Sequence, residues 1–513
     1  MEEKFKRAAT SSRPTKGGSF RDNRDNRSNK DDRGGKGRRD NRDYRNNKDD
    51  RGDRGDRGRR DNRDYRSNKD DRGDRVFRDN KENKEWTPLT ARQIAYRALK
   101  KIYEQSLFID VALENQRDYA KLTPQDKAFA RWLVAGVVRY QKRLNEVLTN
   151  FWRREPDLHI KIILQMGALQ LLLGDNAEHA VVSETVSLCG KKDSQFRGLI
   201  NAILRNIIRE NIEDFNILDP IVEYPRWILN DWSKTFGQQT AEDIARHSLS
   251  EADVDISFKM ESEKVLLELT KARPLPGGGA RLKGHKGRVS RLSGFKNGAF
   301  WVQDAAAQLP VKLLGDIKGK KILDLCAAPG GKSMQMVAAG ANVTALDAKE
   351  RRMQRLVENF ERIKLEVETI TEDMLDWQTD EKYDVVMLDA PCSATGTLRR
   401  HPEILRQIGK GDIEELVELQ KTMLKRATSL VADDGVLVYC VCSLQSLEGI
   451  KQIEAFLSEH NDWELIDLKD KLEALKLGNA YHKACAYTHP ALWQKIGGMD
   501  GFFVALLQPR NKN

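Results

Sequence analysis

The sequence predicts a C-terminal α/β domain with a mostly parallel sheet, preceded by an all-α domain and by a disordered basic tail. From residue 317 onward, strand-like and helix-like segments alternate, as in βαβ units. Between about 87 and 215, apolar residues recur at helical spacing. Residues 1–86 contain almost no aliphatic side chains, so no core would offset the entropy of ordering them. The remaining stretch, 216–316, is expected to be a small α+β piece packed on the C-terminal domain.

The tail is a low-complexity array of charged repeats. Similar 14-residue copies begin at Arg21, Arg39 and Arg60, and all are polar throughout. Residues 1–85 hold 29 Lys and Arg against 20 Asp and Glu, which accounts for almost all of the net charge of +10. One interpretation is a salt-sensitive RNA-binding arm in which Tyr44 and Tyr65 stack on bases. The other is a solubilising tail, and we slightly favour RNA binding.

The all-α region begins with recognisable helix caps. Thr90 precedes an apolar stripe, and Thr123 precedes Pro124 at the first turn of a further helix. Basic residues in this region are candidates for one RNA-binding face: Arg139, Lys142, Arg143, Lys191, Lys192 and Arg197.

The stretch 216–316 mixes both kinds of element. Helices are expected near 227–235, 239–247 and 305–314, a strand over 254–259, and a further helix over 263–270. The glycine-rich run 274–279 predicts a loop. His285 lies among basic residues without other metal ligands nearby, so we interpret it as a surface or RNA-contacting residue.

Acidic residues follow several strands of the predicted C-terminal sheet. The strand over 321–325 leads into the Gly330-Gly331 turn, the next ends at Asp347, the third precedes Asp373, and the fourth ends at Asp389. Open α/β sheets bind ligands at the carboxyl ends of their strands, and a carboxylate such as Asp347 can accept both hydroxyls of a ribose. The turn matches neither the G-x-G-x-x-G dinucleotide motif nor a P-loop.

The six cysteines show no Cys-x-x-Cys spacing, so no metal site is expected. Cys392 and Cys442 lie at the ends of two predicted strands and suggest covalent chemistry. The others are interpreted as small buried side chains: Cys189, Cys326, Cys440 and Cys485.

Four motifs then resemble one known family. They are Asp324–Ser333, Asp389–Gly396, Arg399–Pro402 and Asp500–Phe503. In this order they look like the Sun/Fmu family of S-adenosylmethionine-dependent RNA (cytosine-carbon-5) methyltransferases, whose catalytic domain is Rossmann-like. The helical region is similar to the NusB-like RNA-binding domain in three segments: 136–139, 180–186 and 198–205. Together these resemblances imply a bacterial 16S rRNA methyltransferase.

The resemblance also implies a role for each matching position. The methionine part of S-adenosylmethionine would lie against Cys326, Ala327, Ala328, Pro329, Gly330, Gly331 and Lys332. Asp347 would hold the ribose, Asp373 the adenine side, and Asp389 would lie between the donor and the base. Cys442 would be the nucleophile, which requires partial ionisation of its thiol, and Cys392 would assist product release. The sequence departs from the family at Val441, where a Thr is usual, and at Ser446-Leu447-Glu448, where a Pro-Glu pair is usual.

Two alternatives remain beside RNA cytosine methylation. In a DNA cytosine methyltransferase the nucleophile follows proline, which would make it Cys392. A non-catalytic ribosome-assembly factor would bind RNA and donor without turnover. The presence of both thiols and of the NusB-like region favours RNA methylation. We expect a cytoplasmic monomer that binds RNA and requires neither a metal nor a membrane.

Overall fold

The computed structural model describes residues 89–210, 215, 219–259, 267–268, 270–285 and 287–510. The predicted tail and most of the helix expected over 263–270 lie outside the described residues. Within the described part, no helix is long and apolar enough to cross a membrane.

The all-α region is a bundle whose helices share one apolar core. Thr90 caps the first helix in a capping box with Gln93, and the Thr123 side chain accepts a hydrogen bond from the Asp126 backbone N–H, so both predicted caps are confirmed. The helices are α1 (Ala91–Gln105), α2 (Ile109–Glu114), α3 (Pro124–Arg139), α4 (Gln141–Thr149), α5 (Leu158–Leu173), α6 (Glu178–Ser187) and α7 (Arg197–Arg209).

A small antiparallel sheet follows, as the sequence predicts for an α+β piece. Helices α8 (Arg226–Phe236) and α9 (Gln238–Ser248) precede its strands, which lie in the order β2-β3-β1-β4. The strands are β1 (Val254–Phe258), β2 (Arg273–Pro274), β3 (Ala280–Leu282) and β4 (Phe300–Val302). Helix α10 (Ala305–Leu314) then leads into the large sheet.

The large sheet confirms the predicted Rossmann-like α/β class. Its order is β11-β12-β13-β9-β8-β5-β6-β7, with β10 paired to β13, and the segment from β7 to β9 is parallel. Its strands are β5 (Lys321–Leu325), β6 (Asn342–Leu346), β7 (Glu368–Ile370), β8 (Tyr383–Asp389), β9 (Val431–Val441), β10 (Trp463–Leu465), β11 (Tyr481–His482), β12 (Cys485–Thr488) and β13 (Phe502–Pro509). Its helices are α11 (Gly331–Ala338), α12 (Glu350–Ile363), α13 (Ile404–Gln407), α14 (Lys410–Thr428), α15 (Ile450–Glu459) and α16 (Lys469–Ala474).

Alternate residues of β9 enter two different apolar cores. Val441 packs with Leu388 and Tyr439 on one face, whereas Cys440 packs with Met387 on the other. Cys440 is fully buried, which agrees with its interpretation as a core side chain. The end of β9 therefore presents Cys442 on the same side as Cys440, but nearer to solvent.

Two of the basic residues assigned to an RNA-binding face are buried contacts instead. Arg139 Nη2 donates to the Arg399 carbonyl at 2.8 Å, and the Arg143 guanidinium lies 3.5 Å from Glu223. The expectation that Arg139 and Arg143 belong to such a face is therefore wrong. Both side chains join the helical bundle to the segments that follow it. The other candidates are exposed: Lys142, Lys191, Lys192 and Arg197.

Candidate active site

The turn after β5 is shaped by two residues with positive φ. Cys326 has φ 62°, and Gly330, which precedes α11, has φ 98°. A Cβ at Gly330 would also lie 3.0 Å from the Leu356 side chain. Glycine is therefore required here by backbone conformation and by packing against α12.

Asp347 follows β6 and is almost completely buried. Its Oδ2 accepts from the Ala328 backbone N–H at 3.2 Å, and its Oδ1 accepts from Lys349 N–H at 3.1 Å. Arg352 Nη1 lies 3.3 Å from Oδ2, so Oδ1 is the oxygen with capacity for a further hydrogen bond, such as one from a ribose hydroxyl. Asp373 lies beyond the adjacent strand β7 and is exposed, with Oδ1 accepting from Leu375 N–H at 3.0 Å. Asp347 and Asp373 thus place hydrogen-bond acceptors after two adjacent strands, which suits the hydroxyl and amino donors of a nucleoside.

Asp324, within β5, is a buried acid to which the sequence assigned no separate role. Its Oδ2 accepts from the Ser333 hydroxyl at 2.5 Å, while Oδ1 is buried without a hydrogen-bond partner among the described residues. Burial raises the pKa of Asp324 to about 7, against the opposing effects of Ser333 and Lys332. The hydrogen bond between Ser333 and Asp324 therefore ties the first turn of α11 to strand β5.

Lys332 and Asp389 form a close ion pair. Lys332 Nζ lies 2.7 Å from Asp389 Oδ2 and 4.9 Å from the centre of the Phe502 ring. Burial acts to lower the pKa of Lys332, but Asp389 and other neighbouring groups outweigh it and raise that pKa. Lys332, predicted to contact the methionine part of the donor, thus directly orients Asp389. On the other oxygen, the Cys440 thiol approaches Asp389 Oδ1 at 3.6 Å.

The thiols of Cys392 and Cys442 face one another at 3.5 Å. Both side chains are partly exposed. The hydrogen bond with Cys442, followed by burial, raises the pKa of Cys392 well above its usual value. Cys392 therefore holds its proton more tightly than an ordinary cysteine thiol.

Backbone hydrogen bonds hold the loops that carry these thiols. Ala390 N–H donates to the Cys440 carbonyl at 3.0 Å, and Gly396 N–H donates to the Cys442 carbonyl at 3.0 Å. Val441 itself is buried in the apolar core on the opposite face of the sheet. A hydroxyl at this position would lie on the face of the sheet opposite to the thiols.

Beneath the two loops lies Glu448, a residue that sequence reasoning missed as part of the site. It is completely buried and bonds to Ser393 and Ser443, each of which follows one of the two cysteines. The sequence drew attention to it only as part of the 446–448 segment, which departs from the family pattern.

Two family motifs hold each other in place. Arg400 bonds to Asp500 at 2.8 Å and to Asp304 at 2.7 Å. Gly501 N–H donates to the Gly396 carbonyl at 2.8 Å, and a Cβ at Gly396 would fall 2.0 Å from the Gly501 carbonyl oxygen. The segment before β13 therefore packs directly against the Cys392 loop.

A basic cleft lies where α2 and α3 face the segment around 285–292. Its volume is about 760 Å³. Tyr119 and Glu114 line it together with five basic or imidazole side chains: Lys127, Arg131, His285, Arg288 and Arg291. His285 Nε2 has no hydrogen-bond partner among the described residues. Among those residues there is also no group of three or more His, Cys, Asp or Glu side chains placed to hold a metal.

Comparisons with known proteins agree with this arrangement. A family model described as 16S rRNA methyltransferase RsmB/F matches residues 311–508, and a NusB family model matches 89–209. Ribosomal RNA small subunit methyltransferase B of Cronobacter sakazakii is 32% identical over 397 residues, which cover 74% of this chain and 92% of the relative. Its namesake in Photorhabdus laumondii subsp. laumondii is 30% identical over 440 residues, covering 82% and 98%. The crystal structure of PH0851 has the same fold, with a TM-score of 0.63 at 20% identity, and covers 82% of this chain and 99% of that one.

Proposed function

Because the chain belongs to the 16S rRNA methyltransferase RsmB/F family, we propose that it methylates carbon 5 of a cytosine in small-subunit rRNA through a covalent bond to Cys442. Membership of that family makes the protein an S-adenosylmethionine-dependent rRNA methyltransferase. The choice of carbon 5 and the roles of individual residues are our proposal. The observation that carries it is the pair of thiols, 3.5 Å apart, that follow the neighbouring strands β8 and β9.

The reaction requires a nucleophile because carbon 5 of cytosine is itself a poor one. When the Cys442 thiolate bonds to carbon 6, electron density moves to carbon 5, which then attacks the donated methyl group. Asp389 can accept a hydrogen bond from the exocyclic amine beside N3 of the base, and the Lys332 ammonium, 2.7 Å away, holds that carboxylate in place.

Release requires removal of the carbon-5 proton and cleavage of the Cys442–carbon bond. In the free protein, Cys392 holds its proton chiefly because it is hydrogen-bonded to the Cys442 sulfur. Bonding of that sulfur to carbon 6 would weaken this hydrogen bond and so remove the largest cause of the raised pKa of Cys392. After its own proton has passed to solvent, Cys392 can accept the carbon-5 proton, directly or through water, and Cys442 leaves as a thiolate with the electron pair of its bond to carbon 6.

S-adenosylmethionine supplies an electrophilic methyl group on a sulfonium. The turn from Cys326 to Lys332 would hold its methionine part. Asp347 would hold the ribose and Asp373 the adenine side. Asp389, whose carboxylate contacts Lys332 of this turn, would lie between the donor and the base.

For the RNA, we propose contact with the basic cleft. Four cations and one acid line it, and Tyr119 offers a surface for stacking. The tail of residues 1–86 would add a weak, salt-sensitive contribution. The division into 1–86, 87–215, 216–316 and 317–513, the monomeric state and the cytoplasmic location stay predictions.

The test is methyl transfer from labelled S-adenosylmethionine to purified small-subunit rRNA, followed by digestion to nucleosides. We expect label in 5-methylcytidine with the natural chain and none with Cys442→Ala. Label in another nucleoside, or only in DNA or protein, would overturn the proposal. Label retained in 5-methylcytidine with Cys442→Ala would overturn the role of that thiol.

A further inference from the structure

We infer that Glu448 is a positioning residue that sets the distance between the two active-site thiols. The inference deepens the proposed function, since it concerns the same site. Glu448 touches neither sulfur. It acts through the residue that follows each cysteine, Ser393 and Ser443, and so joins two loops that lie far apart in the sequence.

The carboxylate bridges the loops with both oxygens. Oε1 accepts from the Ser393 backbone N–H at 2.8 Å, whereas Oε2 accepts from the Ser443 hydroxyl at 2.5 Å and from the Ser393 hydroxyl. The two hydroxyls are themselves 3.0 Å apart, and Thr395 Oγ1 lies 3.2 Å from Ser443 Oγ. One side chain therefore constrains the backbone of both thiol-bearing loops.

The bridge is anchored in the core of the domain. Gln420, on α14, donates to Glu448 Oε1 at 3.1 Å and to the Pro391 carbonyl at 2.9 Å. The Tyr439 hydroxyl donates to the Glu448 carbonyl at 2.7 Å. Because these partners belong to a helix and a central strand, the carboxylate cannot shift without moving packed elements.

A carboxylate is suited to this position because every group that contacts its oxygens is a hydrogen-bond donor. Glutamine would present an NH₂ group to at least one of these donors, leaving a buried hydrogen bond unmade. The negative charge is also among the causes that raise the pKa of Cys392. Loss of the charge should therefore loosen the Cys392 loop and ease ionisation of its thiol.

The test uses phenylarsine oxide, a trivalent arsenical whose arsenic binds two adjacent thiols. The full chain should bind it through Cys392 and Cys442, and Cys392→Ala should abolish that binding. We expect Glu448→Gln to weaken binding at least tenfold. The matched control is Glu223→Gln, because Glu223 is also a buried carboxylate that accepts two backbone N–H groups, those of Lys142 and Arg143.

Comparing kcat with KM distinguishes a positioning role of Glu448 from a general loss of folded structure. Glu448→Gln should lower kcat for rRNA methylation at least tenfold with KM for S-adenosylmethionine within twofold, while Glu223→Gln should leave both unchanged. Should Glu448→Gln fail to fold, Ser443→Ala removes one contact and should weaken arsenical binding in the same direction.

Wild-type-like arsenical binding by Glu448→Gln, or by Ser443→Ala where the first variant does not fold, would overturn the inference. Failure of the natural chain to bind the arsenical would overturn the thiol geometry on which it rests. Arsenical binding needs neither RNA nor donor. It therefore reports on Glu448 even if the proposed reaction at cytosine proves wrong.

Discussion

The sulfur atoms of Cys392 and Cys442 lie 3.5 Å apart although the residues are 50 positions apart in the sequence. The pairing of β8 with β9 produces this proximity, because it brings the carboxyl ends of two parallel strands side by side. A single cytosine can therefore contact one thiol while the other lies within reach of the same ring.

This geometry predicts opposite behaviour for the two cysteine variants. Cys392→Ala, mixed with donor and small-subunit rRNA, should accumulate an RNA-linked protein band on a denaturing gel, because attack proceeds and release fails. Cys442→Ala should give no such band. A band with Cys442→Ala alone would reverse the roles and reopen the DNA-type mechanism.

Replacing Lys332 should lower the rate of turnover, because Asp389 would lose the ion pair that orients its carboxylate. Lys332→Met keeps much of the aliphatic stem beside Phe502 but removes the ammonium 2.7 Å from the carboxylate. We expect kcat for rRNA methylation to fall by roughly tenfold or more, since a charge-assisted contact in the site is lost. Lys451→Met, an exposed change on α15, is the control and should leave kcat unchanged.

The pKa of Asp324 predicts a pH-dependent difference in stability. Its folded-state pKa of about 7 lies above the unfolded value near 3.8, so the folded state binds this proton more tightly than the unfolded state does. The stabilisation that results is full below pH ~4 and is lost as pH rises to about 7. Asp324→Asn does not titrate. Its free energy of unfolding should therefore rise relative to the natural chain between these pH values, by on the order of 4 kcal/mol.

Urea unfolding of the natural chain and of Asp324→Asn across that pH range measures the difference in their free energies of unfolding. The exposed change Asp380→Asn is the control and should show little pH-dependent difference. A pH-independent difference for Asp324→Asn would contradict the raised pKa.

The basic cleft predicts a salt-dependent loss of RNA binding. Arg288→Glu and Arg291→Glu, both at exposed positions lining it, should together weaken rRNA binding by roughly tenfold or more and flatten the dependence of affinity on salt. Filter binding at several salt concentrations measures both effects. If Lys451→Glu had an equal effect, the cleft would have no special role.

The buried contact of Arg139 predicts a cost in stability. Arg139→Met removes the hydrogen bond to the Arg399 carbonyl and leaves that carbonyl without this donor. We expect the free energy of unfolding to fall by about 2 kcal/mol, whereas Arg97→Met, an exposed change on α1, should alter it little. Equal effects of the two variants in urea unfolding would contradict the assignment of Arg139 as a buried contact.

Patterns local in sequence predicted much of the fold. The caps at Thr90 and Thr123 and the buried strands ending near Asp347 and Asp389 each produce a signal within a few residues. The antiparallel addition of β13 to the sheet was not predicted, because an apolar run does not specify which strand it joins.

The missed parts of the site depend on contacts between distant segments. Glu448 acts on a loop 55 residues away, and nothing local distinguishes it from a surface acid. Arg139 was assigned to the surface because helical periodicity does not reveal which polar residue lies under a neighbouring domain. Such roles become visible only when the tertiary contacts are known.

The packing of Gly501 against Gly396 has a consequence for biosynthesis. The Cys392 loop is closed by a segment made more than a hundred residues later, and β13 pairs directly alongside the end of β9. During translation, the turn after β5 and both cysteines emerge before the strand that completes their surroundings. A nascent chain still lacking residues 500–509 should therefore be catalytically silent, so the enzyme cannot act on RNA until its own synthesis has passed this strand.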